Sequence, residues 1–321
     1  MLRAQIVGTG IDLPARIQAS RELEPILGVP EGWIEAHTGV RQRRISDEPM
    51  HKMAARAVRQ ALGEGGPPDL LVNASLTPIQ LIPDSSVFIL QELGLDGRPS
   101  FSVHATCLSF VVGLQVAMSM VHGGLWRRVA VVSAEQGSVC RDFTQPESAA
   151  LIGDGAGAAI IEPTPEGQSS ALLAFDMATW PEGASHTELR GCGTRKHPND
   201  PQTVASDNLF QMNGPSVYKM ALRKVPPLIG GLLHRAGLSP SQVDLVVPHQ
   251  ASGPGMRAYR KLGFVTDQIV DILADHGNCI SASVPMALAL AEQQGRLKRG
   301  DTVLLMGTGA GLSVAGALLR W

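Results

Sequence analysis

A chain of 321 residues, 44% hydrophobic and 17% charged, holds more apolar material than one ordinary core needs and suits two domains or two fused halves. With 27 basic against 29 acidic residues, no long basic run and 4% aromatic residues, it lacks both the electrostatic footprint and the stacking platforms of a nucleic-acid binder. The N-terminal Met1-Leu-Arg-Ala-Gln-Ile-Val-Gly-Thr-Gly10 has no apolar signal core, and no apolar run approaches the roughly 18 residues of a membrane span. The expectation is a soluble cytoplasmic enzyme, with part of its surface packed against another subunit.

In chain order, residues 2–9 alternate as a first strand and end in a Gly/Pro turn. Arg21 to Leu27 and Pro30 to Thr38 read as helices, the second opening on a first-turn proline. His51 to Leu62 repeats Ala and Val at helical spacing and stops at Gly63. A β/α alternation follows: strand Asp69 to Ala74, helix Asp84 to Leu93, strand Ser100 to His104, helix Leu108 to His122, then strands Val129 to Ser133 and Ala156 to Glu162. Continuous Val/Ile/Leu strands between helices indicate a sheet buried on both faces. Residues 164–212 are dense in Pro, Gly, Ser and His, with Leu172 to Met177 the one strand, and read as a connector. A helix from Gly214 to about Ala236 and a strand Asp244 to Pro248 restore order.

The second half echoes the first at an offset of about 172 to 175 positions. Asp69-Leu-Leu-Val-Asn-Ala is matched by Asp244-Leu-Val-Val-Pro-His249, and Leu90-Gln-Glu-Leu-Gly94 by Tyr259-Arg-Lys-Leu-Gly263. His104-Ala-Thr-Cys107 and its apolar helix are matched by His276-Gly-Asn-Cys279 and the helix Val284 to Gln294. Two copies of one β/α unit are therefore expected: an N-terminal half 1–163, the connector 164–212 and a C-terminal half 213–321. Such duplication brings equivalent strand-exit loops together, and the loops carrying Cys107, His249 and Asn278 are all of that kind. One pocket would then hold all three.

Each residue has a plainer reading when taken alone. The four cysteines, Cys107, Cys140, Cys192 and Cys279, form no CxxC pair, so metal-ligand spacing is absent and a disulfide framework is not expected. A lone cysteine on an apolar helix usually fills the core, although a helix N-terminus favours thiolate over thiol. His249 would serve as a core histidine and Asn278 as a turn residue; the repeat is what joins them.

The chain resembles the thiolase-like condensing enzymes, specifically β-ketoacyl-acyl-carrier-protein synthase III. The resemblance covers nearly the whole length: Ile6-Val-Gly-Thr-Gly10, Thr38-Gly-Val-Arg41, the Cys107 loop, Gly153-Asp-Gly-Ala-Gly157, Val247-Pro-His-Gln-Ala251, His276-Gly-Asn278 and Gly309-Ala-Gly311. It implies a duplicated α/β fold, two pseudo-twofold-related halves with central mixed sheets in αβαβα layering, and a homodimer. It also implies a Cys-His-Asn triad at Cys107, His249 and Asn278. Cys107 would carry the acyl group as a thioester, its own N–H and that of Ala310 would hold the oxyanion, and His249 and Asn278 would stabilise the enolate left when a malonyl thioester loses CO₂.

By the same resemblance no cofactor is held permanently. Coenzyme A or the phosphopantetheine of acyl carrier protein delivers substrate, with Trp33 at the place of an adenine-stacking tryptophan and Lys219, Arg260 and Lys261 at places of carrier-docking cations. Several positions depart from the family. His37 and Pro254 stand where arginines are usual, and Gln145-Pro-Glu-Ser-Ala149 lacks another, which weakens the case for free coenzyme A and favours a carrier protein. Ile82 and Thr308 replace phenylalanines of the acyl pocket and chamber, which points to a longer or bulkier acyl group and to a specialised lipid or polyketide pathway. The alternatives are an acyltransferase that passes the group from Cys107 to a hydroxyl or amine, and a non-catalytic partner subunit of a synthase.

Overall fold

Two mixed sheets carry the chain, and the alternation of side chains along their strands decides what lies on each face. The computed structural model describes residues 1–321. In chain order the first half runs β1 (Ala4–Asp12), β2 (Arg16–Ala19), α1 (Ser20–Leu27), α2 (Trp33–Thr38), β3 (Gln42–Ile45), α3 (Met50–Leu62), β4 (Leu70–Asn73), α4 (Ser85–Leu93), β5 (Ser100–Ser102), α5 (Ser109–His122), β6 (Val129–Glu135), α6 (Pro146–Ala149) and β7 (Gly155–Pro163). It continues with β8 (Ala171–Gly183), β9 (Thr187–Glu188), β10 (Gln211–Met212), α7 (Gly214–Arg235), β11 (Leu245–Pro248), α8 (Gly253–Ala258), α9 (Leu273–His276), α10 (Ser283–Gln293), β12 (Thr302–Gly309) and β13 (Gly311–Arg320).

The first sheet has the order β1-β7-β6-β4-β5 and the second β8-β13-β12-β11. β7 pairs antiparallel with both β1 and β6, as β13 does with both β8 and β12. The β6–β4 and β12–β11 pairs are parallel. A parallel bridge between Val246 and Ile269 stands where β4 meets β5 in the first sheet. The second sheet thus repeats the first strand for strand.

Burial follows the period of two. On β6, Val129 and Val131 join the core between the sheets, while Ala130, Val132 and Ala134 pack with Met53 and Val58 of α3. On β12, Val303 and Leu305 turn to that same inner core and Leu304 and Met306 pack with Ile229 and Leu232 of α7. Leu114 and Met118 of α5 and Val284 and Leu288 of α10 fill the space between the sheets. The result is five layers: α3 with α4, first sheet, α5 with α10, second sheet, α7. This is the duplicated αβαβα architecture that the resemblance implied.

Some local expectations shift. α2 starts at Trp33, not Pro30, because Gly32 takes φ +77 and Trp33 N–H closes a turn on Pro30 O at 3.1 Å. The β2–β3 pair has too few residues to show a pattern. The segment expected to be a connector contains β8, a 13-residue edge strand of the second sheet. Being half exposed and ending Trp180-Pro-Glu-Gly183, it reads in sequence as a loop.

Candidate active site

After β5 the chain makes a single 3₁₀ turn, Thr106–Leu108, before α5. Thr106 adopts φ +53, a conformation that costs an L-residue energy, at the position just before Cys107. The hairpin between β12 and β13 lies directly over this turn. A Cβ at Gly309 would sit 2.4 Å from Thr106 Oγ1, so only glycine lets Ala310 reach the thiol. The backbone N–H groups of Cys107 and Ala310 both favour the charged sulfur, but burial, and then the carboxyl of Glu135, oppose them and push Cys107 up to about 12. The helix start alone therefore does not make a resting thiolate, contrary to the sequence expectation. At neutral pH so high a pKa keeps the free Cys107 as a thiol.

His249 follows β11, and its N–H donates to Met306 O at 2.8 Å, continuing the ladder with β12. Gln250 anchors the exit: its amide donates to Pro248 O and Val270 O at 2.8 and 3.0 Å and accepts from Ile272 N–H at 3.0 Å. That fully buried side chain explains the Gln of the His-Gln-Ala motif as a brace. The imidazole is buried, which pulls its pKa down to about 4 against a hydrogen bond with the Ile280 backbone. At neutral pH it is uncharged and donates from one nitrogen.

Asn278 is held on all sides. Its N–H donates to Leu151 O at 2.8 Å and its carbonyl accepts from Gly153 N–H at 3.1 Å. Its side-chain oxygen accepts from Ile280 N–H at 2.9 Å, and its side-chain N–H₂ reaches Ala251 O at 3.3 Å, leaving a second amide hydrogen free. The glycines of Gly153-Asp-Gly-Ala-Gly157 permit this approach. A Cβ at Gly153 would lie 2.4 Å from His276 O, and one at Gly157 would lie 2.6 Å from Met286 N. Asp154, fully buried between them, accepts from Ser46 N–H and from the N–H and hydroxyl of Ser138 at 2.6–2.9 Å.

One cavity of about 210 Å³ is lined by Cys107, His249, Asn278, Thr308, Gly309 and Ala310 together. Of the residues assigned to the carrier, Lys261 lines the same cavity, whereas Lys219 and Arg260 do not line it but are exposed and adjoin its lining residues Tyr218, Tyr259 and Lys261 in sequence. Trp33 does not line it. Its ring stacks on His37 at 4.3 Å, on a helix that abuts α8 through the close approach of Gly39 and Gly253. Ile82 does not line it either: it is 86% exposed beside Leu81, whereas Thr308 does line the cavity.

Glu135 escaped the sequence reading. It ends β6 fully buried, and accepts from Leu76 N–H at 2.6 Å, Thr77 N–H at 3.1 Å and Thr77 Oγ1 at 2.7 Å, as well as from Ser281 Oγ. Burial raises its pKa despite these donors. An acidic residue closing the apolar run Val-Ala-Val-Val-Ser-Ala-Glu135 was the signal available.

Residues 101–181 match the family model described as 3-oxoacyl-[acyl-carrier-protein (ACP)] synthase III, and residues 233–321 match the one described as its C terminal. A β-ketoacyl-[acyl-carrier-protein] synthase III of Oceanobacillus iheyensis is 34% identical over 323 residues, covering 98% of each chain. The solved 3-oxoacyl-[acyl-carrier-protein] synthase III from Aquifex aeolicus superposes with a TM-score of 0.89 at 30% identity, over 99% of this chain and 100% of that one. The priming β-ketosynthase from the R1128 polyketide biosynthetic pathway superposes with a TM-score of 0.87 at 31% identity, over 98% and 96%.

Proposed function

The chain belongs to the β-ketoacyl-[acyl-carrier-protein] synthase III family and catalyses decarboxylative condensation of an acyl thioester with a malonyl thioester; from that premise we propose how its residues divide the reaction. The observation that carries the assignment is the single cavity in which a thiol, a neutral imidazole, a carboxamide and two backbone donors converge.

In the loading half-reaction the sulfur of Cys107 attacks the acyl carbonyl. The N–H groups of Cys107 and Ala310 stabilise the oxyanion, the carrier C–S bond breaks, and the thiol proton leaves with the departing carrier thiol. In the second half-reaction malonyl thioester loses CO₂, and its electron pair becomes an enolate. The Nε2–H of His249 and the free amide hydrogen of Asn278 hold that enolate oxygen. An uncharged imidazole suits this role, because the enolate needs a donor that keeps its proton. The carbanion then attacks acyl-Cys107, forming the β-ketoacyl thioester and freeing the thiol.

Lys261 at the mouth, with Lys219 and Arg260 beside it, is proposed to receive an acidic carrier protein, and Trp33 to contact the carrier's distal end. The His37 stack on one face of Trp33 and the missing arginines favour acyl carrier protein over free coenzyme A as donor. The halves are taken as 1–163 and 213–321, with 164–212 supplying the edge strand of the second. A homodimer is proposed through β5, one of the two edge strands of the first sheet, where Leu81, Ile82 and Val87 of the adjoining segment are exposed. The assigned place of action is the cytoplasm. No helix is long and apolar enough to cross a membrane.

The test is intact-mass analysis of the protein after incubation with a panel of acyl thioesters, followed by addition of malonyl carrier protein. An acyl adduct absent from Cys107→Ala, with CO₂ and a β-keto product on addition of malonyl carrier, is expected. No adduct at any chain length would overturn the assignment.

A further inference from the structure

Two unfavourable features meet at Thr106. Its φ of +53 lies in the left-handed region, which a β-branched side chain rarely enters, and its hydroxyl oxygen is buried without a hydrogen-bond partner. The backbone around it is by contrast well bonded: Ser109 Oγ accepts from Ala105 N–H at 2.9 Å and donates to Thr106 O at 2.7 Å. The turn itself holds the strained residue in place. What the conformation sets is the direction of the side chain, because Oγ1 is the atom nearest to where a Cβ on Gly309 would stand, at 2.4 Å, with Ala105 O and Leu108 Cγ next at 3.3 Å. Thr106 thus bears against the glycine immediately before Ala310, whose backbone N–H favours the charged sulfur of Cys107.

We propose that Thr106 is a positioning residue of the oxyanion hole: its side chain supports the β12–β13 hairpin where Ala310 N–H meets the oxyanion, and it does so by shape and not through its hydroxyl. The role belongs to the loading half-reaction described above and rests on that reading. Two observations separate shape from hydrogen bonding. Thr106 does not line the cavity, so its hydroxyl is not placed to touch substrate, and it has no protein partner either. The other half makes the same packing with hydrocarbon alone. Ile280, at φ +50 where the second half's 3₁₀ turn begins, puts its Cδ1 2.6 Å from where a Cβ on Gly137 would stand, just past the end of β6. Since β6 is the counterpart of β12, the turn of each half bears on a glycine at the strand exit of the other. A donor to an oxyanion acts only at close range, about 2.7–3.1 Å, so a hairpin left without this support would lose the contact before it lost the fold.

Acyl-Cys107 formation would be followed by intact mass over a range of concentrations of one acyl thioester that loads the wild type, giving a saturating rate and a half-saturating concentration. Thr106→Val keeps the shape and removes the hydroxyl, and both constants are expected within about twofold of wild type. Thr106→Ala removes the support. Its saturating rate is expected to fall about tenfold or more while the half-saturating concentration stays within about twofold, because the oxyanion forms only in the transition state. Gly309→Ala presses a methyl onto Thr106 and should also slow loading; adding Thr106→Ala to it should restore part of the rate, since bulk removed from one side of the contact is returned on the other. That pair decides the matter even where Thr106→Ala alone folds poorly. A Thr106→Val rate as low as that of Thr106→Ala, a Thr106→Ala rate equal to wild type, a change confined to the half-saturating concentration, or no recovery in the pair would each overturn the role and leave the condensing activity standing. Wild-type protein that no acyl thioester loads would contradict the condensing activity itself.

Discussion

Thr106 and Ile280 occupy the same place in the two halves: each is a non-glycine residue in the left-handed region, at φ +53 and +50, at the start of a 3₁₀ turn leading into the central helix of its half. The offset between them is 280 − 106 = 174, which makes Ser281, not Cys279, the counterpart of Cys107. The sequence echo had aligned the two cysteines, two positions out of register. Ser281 instead bonds Glu135 and Ala74 O beneath the nucleophile, while Cys279 lies buried with Ala282 and Met286.

Cys279→Ala is therefore expected to leave acyl loading unchanged and to cost about 1 kcal/mol of stability from lost packing. Loading measured by intact mass and unfolding in urea would separate the two effects. Equal loss of loading in Cys107→Ala and Cys279→Ala would mean that the nucleophile has been placed in the wrong half.

Glu135 raises the Cys107 pKa, so Glu135→Gln is expected to lower it. Iodoacetamide labelling of Cys107 in the wild type should climb about tenfold per pH unit from 7 to 9 without a plateau, because the thiolate is the reacting species. In Glu135→Gln the curve should lie to the acid side. An unshifted curve would show that burial alone sets the thiol.

The His249 pKa is depressed from 6.5 to about 4. Below pH 6.5 the unfolded chain takes up a proton that the folded one refuses, so this contribution to stability is whole above pH 6.5 and is lost as pH falls toward 4. It amounts to about 3 kcal/mol from the difference between the two values. Urea unfolding at pH 7.5 and 4.5 should show a smaller fall in stability for His249→Asn than for the wild type. By the same reasoning, malonyl decarboxylation should show no break near pH 6.5.

A methyl at Gly307 would lie 2.6 Å from His249 Cβ and 3.4 Å from Leu108 Cδ2. Gly307→Ala is expected to destabilise the fold by about 1–3 kcal/mol through overpacking. It should also slow CO₂ release from malonyl carrier more than it slows acyl loading, since it moves the imidazole first. Equal slowing of both steps would remove His249 from the decarboxylating role.

The fold was legible because its core is written in period: Val129 to Glu135 and Thr302 to Gly309 alternate faces between two layers of helix, and the two halves share that pattern. β8 was shortened in the sequence reading because an edge strand with one exposed face and a Pro-Glu-Gly end looks like a loop. That Cys107, His249 and Asn278 would line one cavity was legible from the spacing of strand exits, and the family resemblance added Ala310 to the same lining. Glu135 was not, because a buried carboxylate at the end of an apolar run looks like a strand end until its donors on the neighbouring loop and on Ser281 are packed against it.

The central claim is that carbon–carbon bond formation and loss of CO₂ are coupled at Cys107. It is tested most directly by pre-acylating the enzyme, removing free substrate, adding malonyl carrier protein and counting CO₂ against acyl-enzyme consumed in a single turnover. One CO₂ per acyl group, with the acyl group recovered as a β-ketoacyl thioester, is expected. Acyl-Cys107 that disappears into water, a hydroxyl or an amine without CO₂ would contradict the account.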